Sequence, residues 1–471
     1  MSLGRFVCLH EKSGIALNSS LLERVVRGEA SPQGEDPLRR LLGATTLLHG
    51  LTRMIALPLL IGALALAPQD FDLAEINRNS REISARLKEG GASTLARMET
   101  LRALDVEYAD KGMAHQVVEL HAMQVAAELG NYVEAHAFGD RSPNIPLAVP
   151  EELNEKLEAS QPVDAVAGIA ALAEDELLVL INEAHHVPQH RAFTIELLHA
   201  LRKKGFTHFA AETLLATDNG LNDRGYPTQA TGTYTSEPVY ADLVRIALAL
   251  GYEVVPYEAV NFPGGRELGQ ATNLLKRTLE ASEDARVVVL AGYDHINEKG
   301  GFGGPGTLCM AGHLKEMTGL DPLTIDQTLM TEHSTRAIEH PLYRKRVDEV
   351  GLERATIFQS ESGEPWSAEP GVRDVTLFHP RSVLQDGRPS WLRMGGLRKA
   401  YTLPADFRKS EGAVQVEARL SSESAEAIPV DRIEVRAAQK PPALLLGQGK
   451  YVIEVKNAKD ELLSSWNIEV P

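Results

Sequence analysis

Cysteine is nearly absent, with thiols only at Cys8 and Cys309 among 471 residues. That excludes a disulfide framework and a four-thiolate zinc site. Aromatic residues make up 5% of the chain, which leaves little material for the broad apolar slot that haem needs. An excess of positive charge is missing as well. With 48 basic against 65 acidic side chains the net charge is −17, which opposes attachment to phosphate backbones, so no nucleic-acid partner is expected. The apolar run Ile55 to Ala67 is about 13 residues, too short to span a bilayer, and no integral membrane domain is expected in the mature chain.

What is present is 43% apolar residues, enough for real cores, in a length that corresponds to roughly three domains. Residues 1–67 read as a leader. Arg39, Arg40 and Arg53 precede the uncharged run, and Ala65-Leu66-Ala67 supplies small residues for cleavage, the layout of a secretory signal. The expected location is therefore outside the cytoplasm, periplasmic or secreted.

From residue 71 to 160 the apolar positions recur at three and four, as in Ile83 and Leu87, then Leu95, Met98, Leu101 and Leu104, then Met113, Val117, Leu120 and Met123. This predicts helices, broken at Gly90-Gly91 and ended at Gly130. Residues 165–370 alternate short apolar runs with amphipathic stretches. The runs are Leu177–Ile181, Phe206–Ala211, Glu253–Tyr257, Arg286–Ala291 and Pro322–Ile325. Strand, helix, strand, helix predicts an α/β core with a parallel sheet covered on both faces. Ser236 reads as the cap of one intervening helix. In residues 371–471 the helical period disappears, and Val375–Phe378, Val414–Leu420, Ile433–Ala437, Tyr451–Val455 and Ser465–Val470 alternate between turn clusters. The fold class is thus an α/β core, preceded by an α-helical region and followed by a small antiparallel β-sandwich-like domain.

Open α/β sheets bind ligands beyond the carboxyl ends of their strands. The residues standing there are unusually polar: Asn182, Glu183, His185 and His186 after the first run, then His190 and Arg191; Glu212 after the second; Glu258 after the third; Tyr293, Asp294 and His295 after the fourth, with Glu298 close behind. Buried carboxylates without a partner cost several kcal/mol, so their recurrence points to a functional cluster. A structural ion-pair network neutralised by Arg191 or Arg266 is the other reading of the same residues.

A carboxylate beside an imidazole fixes its tautomer and raises its basicity, so Glu183 with His186 suits a general base, while His295 suits a second imidazole across the site. Glu183, His186, Glu212 and His295 equally suit a divalent metal whose bound water becomes the nucleophile. A serine mechanism is less supported, since no G-x-S-x-G elbow occurs. The stretch Gly300 to Thr307 has the glycines of a phosphate loop without its Lys-Ser/Thr ending, and reads as a flap beside His295. Residues Leu214 to Thr235, with Tyr226 and Tyr234, are a candidate substrate wall.

These motifs carry a resemblance. Asn182-Glu183-Ala184-His185-His186, Arg191, Glu212, the run from Arg266 to Leu274 and Gly292-Tyr293-Asp294-His295 together resemble the erythromycin esterase-like and ChaN/TIKI superfamily, over about a third of the chain. Asn182 replaces the usual glycine, and Gly292 stands where the esterase branch tends to carry a histidine, which is closer to the TIKI pattern. The resemblance implies Glu183, His186, Glu212 and His295 as active-site residues, with Arg191, Arg266 and Asn273 in support. It implies a hydrolase of esters or peptides, some metal-dependent, or a haem-binding protein. The expected activity is cleavage of an ester or amide bond in a small-molecule or peptide substrate, with His185, His190, Tyr234, Glu258 and Tyr293 lining the site. The alternative is a non-catalytic haem- or ligand-binding protein, with His185, His186, His295 or Tyr293 as axial ligands.

Overall fold

The structure is a computed structural model that describes residues 73–91, 93–141, 150–301, 306–407, 412–437 and 439–471. The leader at 1–67 and residues 302–305 of the glycine-rich stretch lie outside the described residues. No described helix is long and apolar enough to cross a membrane.

Four helices come first: α1 (Leu73–Glu89), α2 (Thr94–Glu107), α3 (Met113–Glu128) and α4 (Tyr132–Gly139). The apolar periodicity explains them. Leu95, Met98, Leu101 and Leu104 from α2 meet Val117, Val118, Ala122 and Met123 from α3 in one buried cluster. Ser93 starts α2 by accepting the Ala96 N–H at 3.1 Å. The helix α5 (Glu151–Ala159) follows.

An eight-stranded sheet forms the centre. Its strands are β1 (Gln161–Asp164), β2 (Leu178–Glu183), β3 (His208–Ala211), β4 (Glu253–Pro256), β5 (Val287–Gly292), β6 (Leu323–Met330), β7 (Thr356–Gln359) and β8 (Val375–Phe378). The spatial order is β1-β7-β8-β6-β2-β5-β3-β4. The pairs from β8 to β4 are parallel, and β7 pairs antiparallel with both β1 and β8 at one edge. Val375–Phe378 is a correction: expected among the C-terminal antiparallel segments, it lies parallel to β6 with Ile325 opposite Val375. Its buried run Val-Thr-Leu-Phe suits a strand covered on both faces.

Alternation along β2 divides the core. Val179 and Ile181 face the cluster built with Phe193, Leu197 and Leu198 of α7 (Pro188–Lys203) and with Val239, Leu243 and Val244 of α9 (Pro238–Ala249). Leu178 and Leu180 face the cluster built with Leu274 and Leu275 of α10 (Arg266–Arg277) and with Met310 and Leu314 of α11 (Met310–Thr318). The chain thus runs from β2 out to β3 and β4 with helices on one face, then returns to β5 between β2 and β3 and continues to β6 with helices on the other. That reversal opens a crevice at the carboxyl ends of β2, β5 and β3. The other helices of this region are α6 (Ala165–Leu172), the single turn α8 (Leu221–Arg224) and α12 (Pro341–Val350).

The remainder is β-rich. A short hairpin, β9 (Leu384–Gln385) and β10 (Arg388–Pro389), precedes β11 (Lys399–Tyr401), β12 (Val414–Leu420), β13 (Asp431–Val435), β14 (Leu444–Leu446), β15 (Gly449–Asn457) and β16 (Leu462–Val470). The order β13-β12-β15-β16 makes a four-stranded antiparallel sheet, and β11 pairs with β14. Val416, Ile433 and Ile453 share one buried cluster with Leu444 and Leu446.

Candidate functional site

Each strand that ends at the crevice delivers one acid or imidazole. Glu183 closes β2, Glu212 follows β3, Glu258 follows β4 and His295 stands in the turn after β5. Register does the assembling: Glu183 lies opposite Gly292, and the Glu212 N–H donates to Leu290 O on β5. Two residues directly beyond strand ends, Thr213 at φ 63 and Tyr293 at φ 41, sit in left-handed backbone that costs a non-glycine residue of order 1–3 kcal/mol. Such strain persists where the surroundings fix the chain, here the Tyr234 N–H donating to Thr213 Oγ1 at 3.2 Å and Asn182 Nδ2 donating to Tyr293 O at 3.0 Å.

Glu183 is 1% exposed and receives Arg191 through Nε and Nη2, both at 2.7 Å. Burial by itself would raise its pKa, but the Arg191 charge and paired hydrogen bonds prevail and hold it below the usual carboxylate range. Arg191 is equally buried and also donates to Glu237 at 3.0 Å. Glu237, and not Ser236 as expected, caps α9, accepting the Val239 and Tyr240 N–H groups at 2.9 and 2.8 Å.

Glu212 is 3% exposed and accepts Arg266 Nη2 at 2.6 Å and the Gly292 N–H at 2.6 Å. Burial pushes its pKa up, yet His295, Arg266 and His185 outweigh burial and bring it down to about 2. Arg266 also clamps Glu258 through Nε at 2.9 Å and Nη2 at 2.8 Å. Asn273 holds the chain after β4, donating to Glu258 O at 3.0 Å.

The tautomer of His295 follows from its neighbours. Arg266 Nη1 lies 2.9 Å from Nε2 and can only donate, so Nε2 carries the lone pair. The proton is then on Nδ1, which donates to Glu267 Oε2 at 2.8 Å. Burial opposes the charged ring, but Glu212 and Glu267 together raise its pKa above the ordinary value. Glu267 lies inside the stretch singled out from the sequence, yet its role was not legible there. One position along α10 from Arg266 is the only signal, and facing His295 is a property of the folded helix.

The second imidazole of the cluster is His185. Its Nδ1 lies 3.3 Å from Glu183 Oε1, and its ring stacks on Tyr234 at 4.3 Å and meets Tyr293 edge-on at 5.1 Å. A Cβ on Gly292 would fall 2.1 Å from His185 Cε1 and 2.9 Å from Glu212 Oε2, which is why the position opposite Glu183 lacks a side chain. His186 departs from expectation. It turns away from the acids and packs against α4, edge-on to His136 at 5.8 Å, where a Cβ on Gly139 would fall 2.4 Å from its Nε2. Burial, helped by His136, lowers its pKa to about 3. His190 is likewise structural in its contacts: its Nδ1 accepts the Ala184 N–H at 3.0 Å, and its ring stacks on His379 at 5.0 Å. Glu298 pairs with Lys315 and Thr324 instead of joining Glu183, Glu212 and Glu258. From the expected substrate wall, Tyr234 reaches the site while the Tyr226 hydroxyl accepts the Ser424 N–H.

A cleft of about 720 Å³ borders the centre, lined in part by Gly265, Arg266, Glu267, Lys299, Thr307 and His313. A divalent metal does not fit the donors expected for it. Both Glu183 oxygens face Arg191, Glu212 is held by Arg266 and the Gly292 N–H, and a guanidinium abuts His295 Nε2. Among the described residues the His/acid group close enough to share an ion is Asp105, His115 and Glu119, away from the strand ends and already paired through Arg141.

The depressed pKa of Glu212 is also a stability statement. Its contribution is fully present above the unfolded value near 4.5 and is lost as pH falls toward 2. Urea midpoints should therefore drop steeply between pH 4.5 and 2, and Glu212→Gln, weaker at pH 7, should show the shallower drop. Parallel curves for the two proteins would remove Glu212 from the acid transition. His295 acts in the opposite sense: its raised pKa adds stability below about 6.5 that is lost as pH rises past its own folded value.

No protein-family model matches the sequence, and comparison with curated proteins gives no match. Solved structures similar to this chain include bacterial toxins. Two are titled as bacterial protein toxins, each 17% identical at a TM-score of 0.27, covering 49% of this chain and 52% of theirs. A MARTX toxin effector domain from Vibrio vulnificus CMCP6 is 19% identical at 0.23, covering 43% and 46%. The Pasteurella multocida toxin, whose C-terminal region is described as holding a thiol-protease like catalytic triad, is 13% identical at 0.25, covering 76% and 55%. The chain thus spans about half the length of each.

Proposed function

We propose that this chain is an exported hydrolase of the erythromycin esterase-like and ChaN/TIKI type, cleaving an ester or amide bond with water activated by His295. The observation that carries the reading is the imidazole with its lone pair on Nε2, held between Arg266 and Glu267, which themselves line a cleft. Water taking the place of Arg266 Nη1 at Nε2 gives up its proton to the ring as its oxygen attacks the carbonyl carbon. Arg266 stays tethered to Glu258 and Glu212 through Nε and Nη2, so its freed Nη1 is positioned to stabilise the oxyanion. The ring then returns the proton to the leaving alcohol or amine. Glu212 and Glu267 supply the negative field that favours the imidazolium. Export rests on the basic flank and apolar run of residues 1–67. The haem alternative has less support, since His185 Nδ1 and both ring nitrogens of His295 face protein groups.

The test is a panel of esters and peptides assayed across pH with and without EDTA. Hydrolysis is expected with an acid limb of kcat/KM above pH 6.5, because only the neutral ring accepts a proton and its pKa is raised, and EDTA should change nothing. A panel without turnover, accompanied by a Soret band on haem titration, would replace this reading with the binding one.

A further inference from the structure

Glu212, Glu258 and Glu267 all surround the base, but they are held differently. Arg266 clamps Glu212 and Glu258, whereas Glu267 Oε2 receives His295 Nδ1 at 2.8 Å and the Met310 N–H at 2.9 Å. Glu267 stands in the first turn of α10, and Met310 opens α11, so the carboxylate lies where two helix N-termini meet. Its side chain is 18% exposed, and it lines the cleft.

From this juxtaposition we infer that Glu267 is the positioning residue of the base, holding the His295 ring in the Nδ1–H tautomer so that Nε2 is the atom presented for proton transfer. The inference rests on the hydrolase reading. A carboxylate that only capped α11 would need Met310 and nothing else. Here the same oxygen that satisfies the helix also takes the imidazole N–H, so the rotation of the ring and the first turn of α11 are set by one atom. The chain reaches Met310 directly from Gly306, Thr307 and Leu308 of the cleft lining, which ties the wall of the cleft to the orientation of the base.

The experiment uses full-length protein labelled with 15N-histidine, read by long-range 1H–15N spectra, alongside hydrolysis of the best substrate in the panel. In wild type His295 should titrate above 6.5 and show the Nδ1–H pattern when neutral. Glu267→Gln should lower that titration midpoint, reduce the Nδ1–H population and cut kcat about tenfold or more with KM nearly unchanged. Glu267→Asp, which keeps the charge, should recover part of each. An unaltered tautomer and midpoint in Glu267→Gln would overturn the inference. The spectra need no substrate, so the two ideas fail separately: a shifted tautomer in a protein that hydrolyses nothing defeats the hydrolase reading, and normal turnover with an unshifted ring defeats the role of Glu267.

Discussion

Arg191→Met is expected to destabilise the protein by about 3–5 kcal/mol, the usual result of stripping one partner from a buried ion pair. The side chain is 1% exposed and stands between two carboxylates that are themselves buried, Glu183 and Glu237. Methionine fills much of the volume but neutralises neither acid. Glu237 retains its two backbone N–H groups at the start of α9, whereas Glu183 keeps only the weaker contact with His185 at 3.3 Å. The loss should therefore fall mainly on the end of β2, and Glu183 should take up a proton at higher pH than in wild type. Arg191→Lys should restore part of the stability, since it returns the charge without the paired geometry. The triple variant Arg191→Met, Glu183→Gln, Glu237→Gln should be more stable than Arg191→Met alone, because no unpaired charge is left inside. Urea denaturation with unchanged slope is the measurement. A triple variant less stable than the single one would show that the network contributes through geometry and not through charge balance.

On the hydrolase reading, the distinction between structural network and reactive centre, left open by the sequence, divides residue by residue. Arg191 and Glu237 are buried and serve each other and Glu183. His295 is held by Arg266 and Glu267, and these two partners line a cleft. Sequence made the strand ends legible because parallel strands are continuous apolar runs, and the first polar residue after each run marks the carboxyl edge. Glu183, Glu212, Glu258 and His295 were found that way. The choice between His185 and His186 was not legible, since adjacent residues in a turn differ by rotation that only packing decides: the open Cα of Gly292 admits one ring and the open Cα of Gly139 the other. Val375–Phe378 misled for a related reason. A four-residue apolar strand carries no mark of whether its partner runs parallel or antiparallel, and its neighbour β6 lies some fifty residues earlier. Glu267 was hidden because a first-turn glutamate is an ordinary helix feature.

His295→Gln should lower kcat by about 10²–10⁴-fold while leaving the fold intact, the span expected for removing a general base. Glutamine is chosen because it can keep both contacts of the ring: its oxygen accepts Arg266 Nη1 and its amide N–H donates to Glu267, as the two ring nitrogens do now. What it cannot keep is a basic lone pair, so structure and substrate affinity should persist while proton removal fails. Melting temperature and KM should stay near wild type, and the acid limb above pH 6.5 should vanish from the residual rate. The companion variant His186→Ala removes a ring packed against α4 and not against the acids, so its cost should appear in stability and leave kcat largely alone. If His186→Ala abolished turnover in folded protein while His295→Gln reduced kcat less than threefold, the reactive imidazole would lie on the other side of Glu183, and water activation at the end of β5 would have to be abandoned.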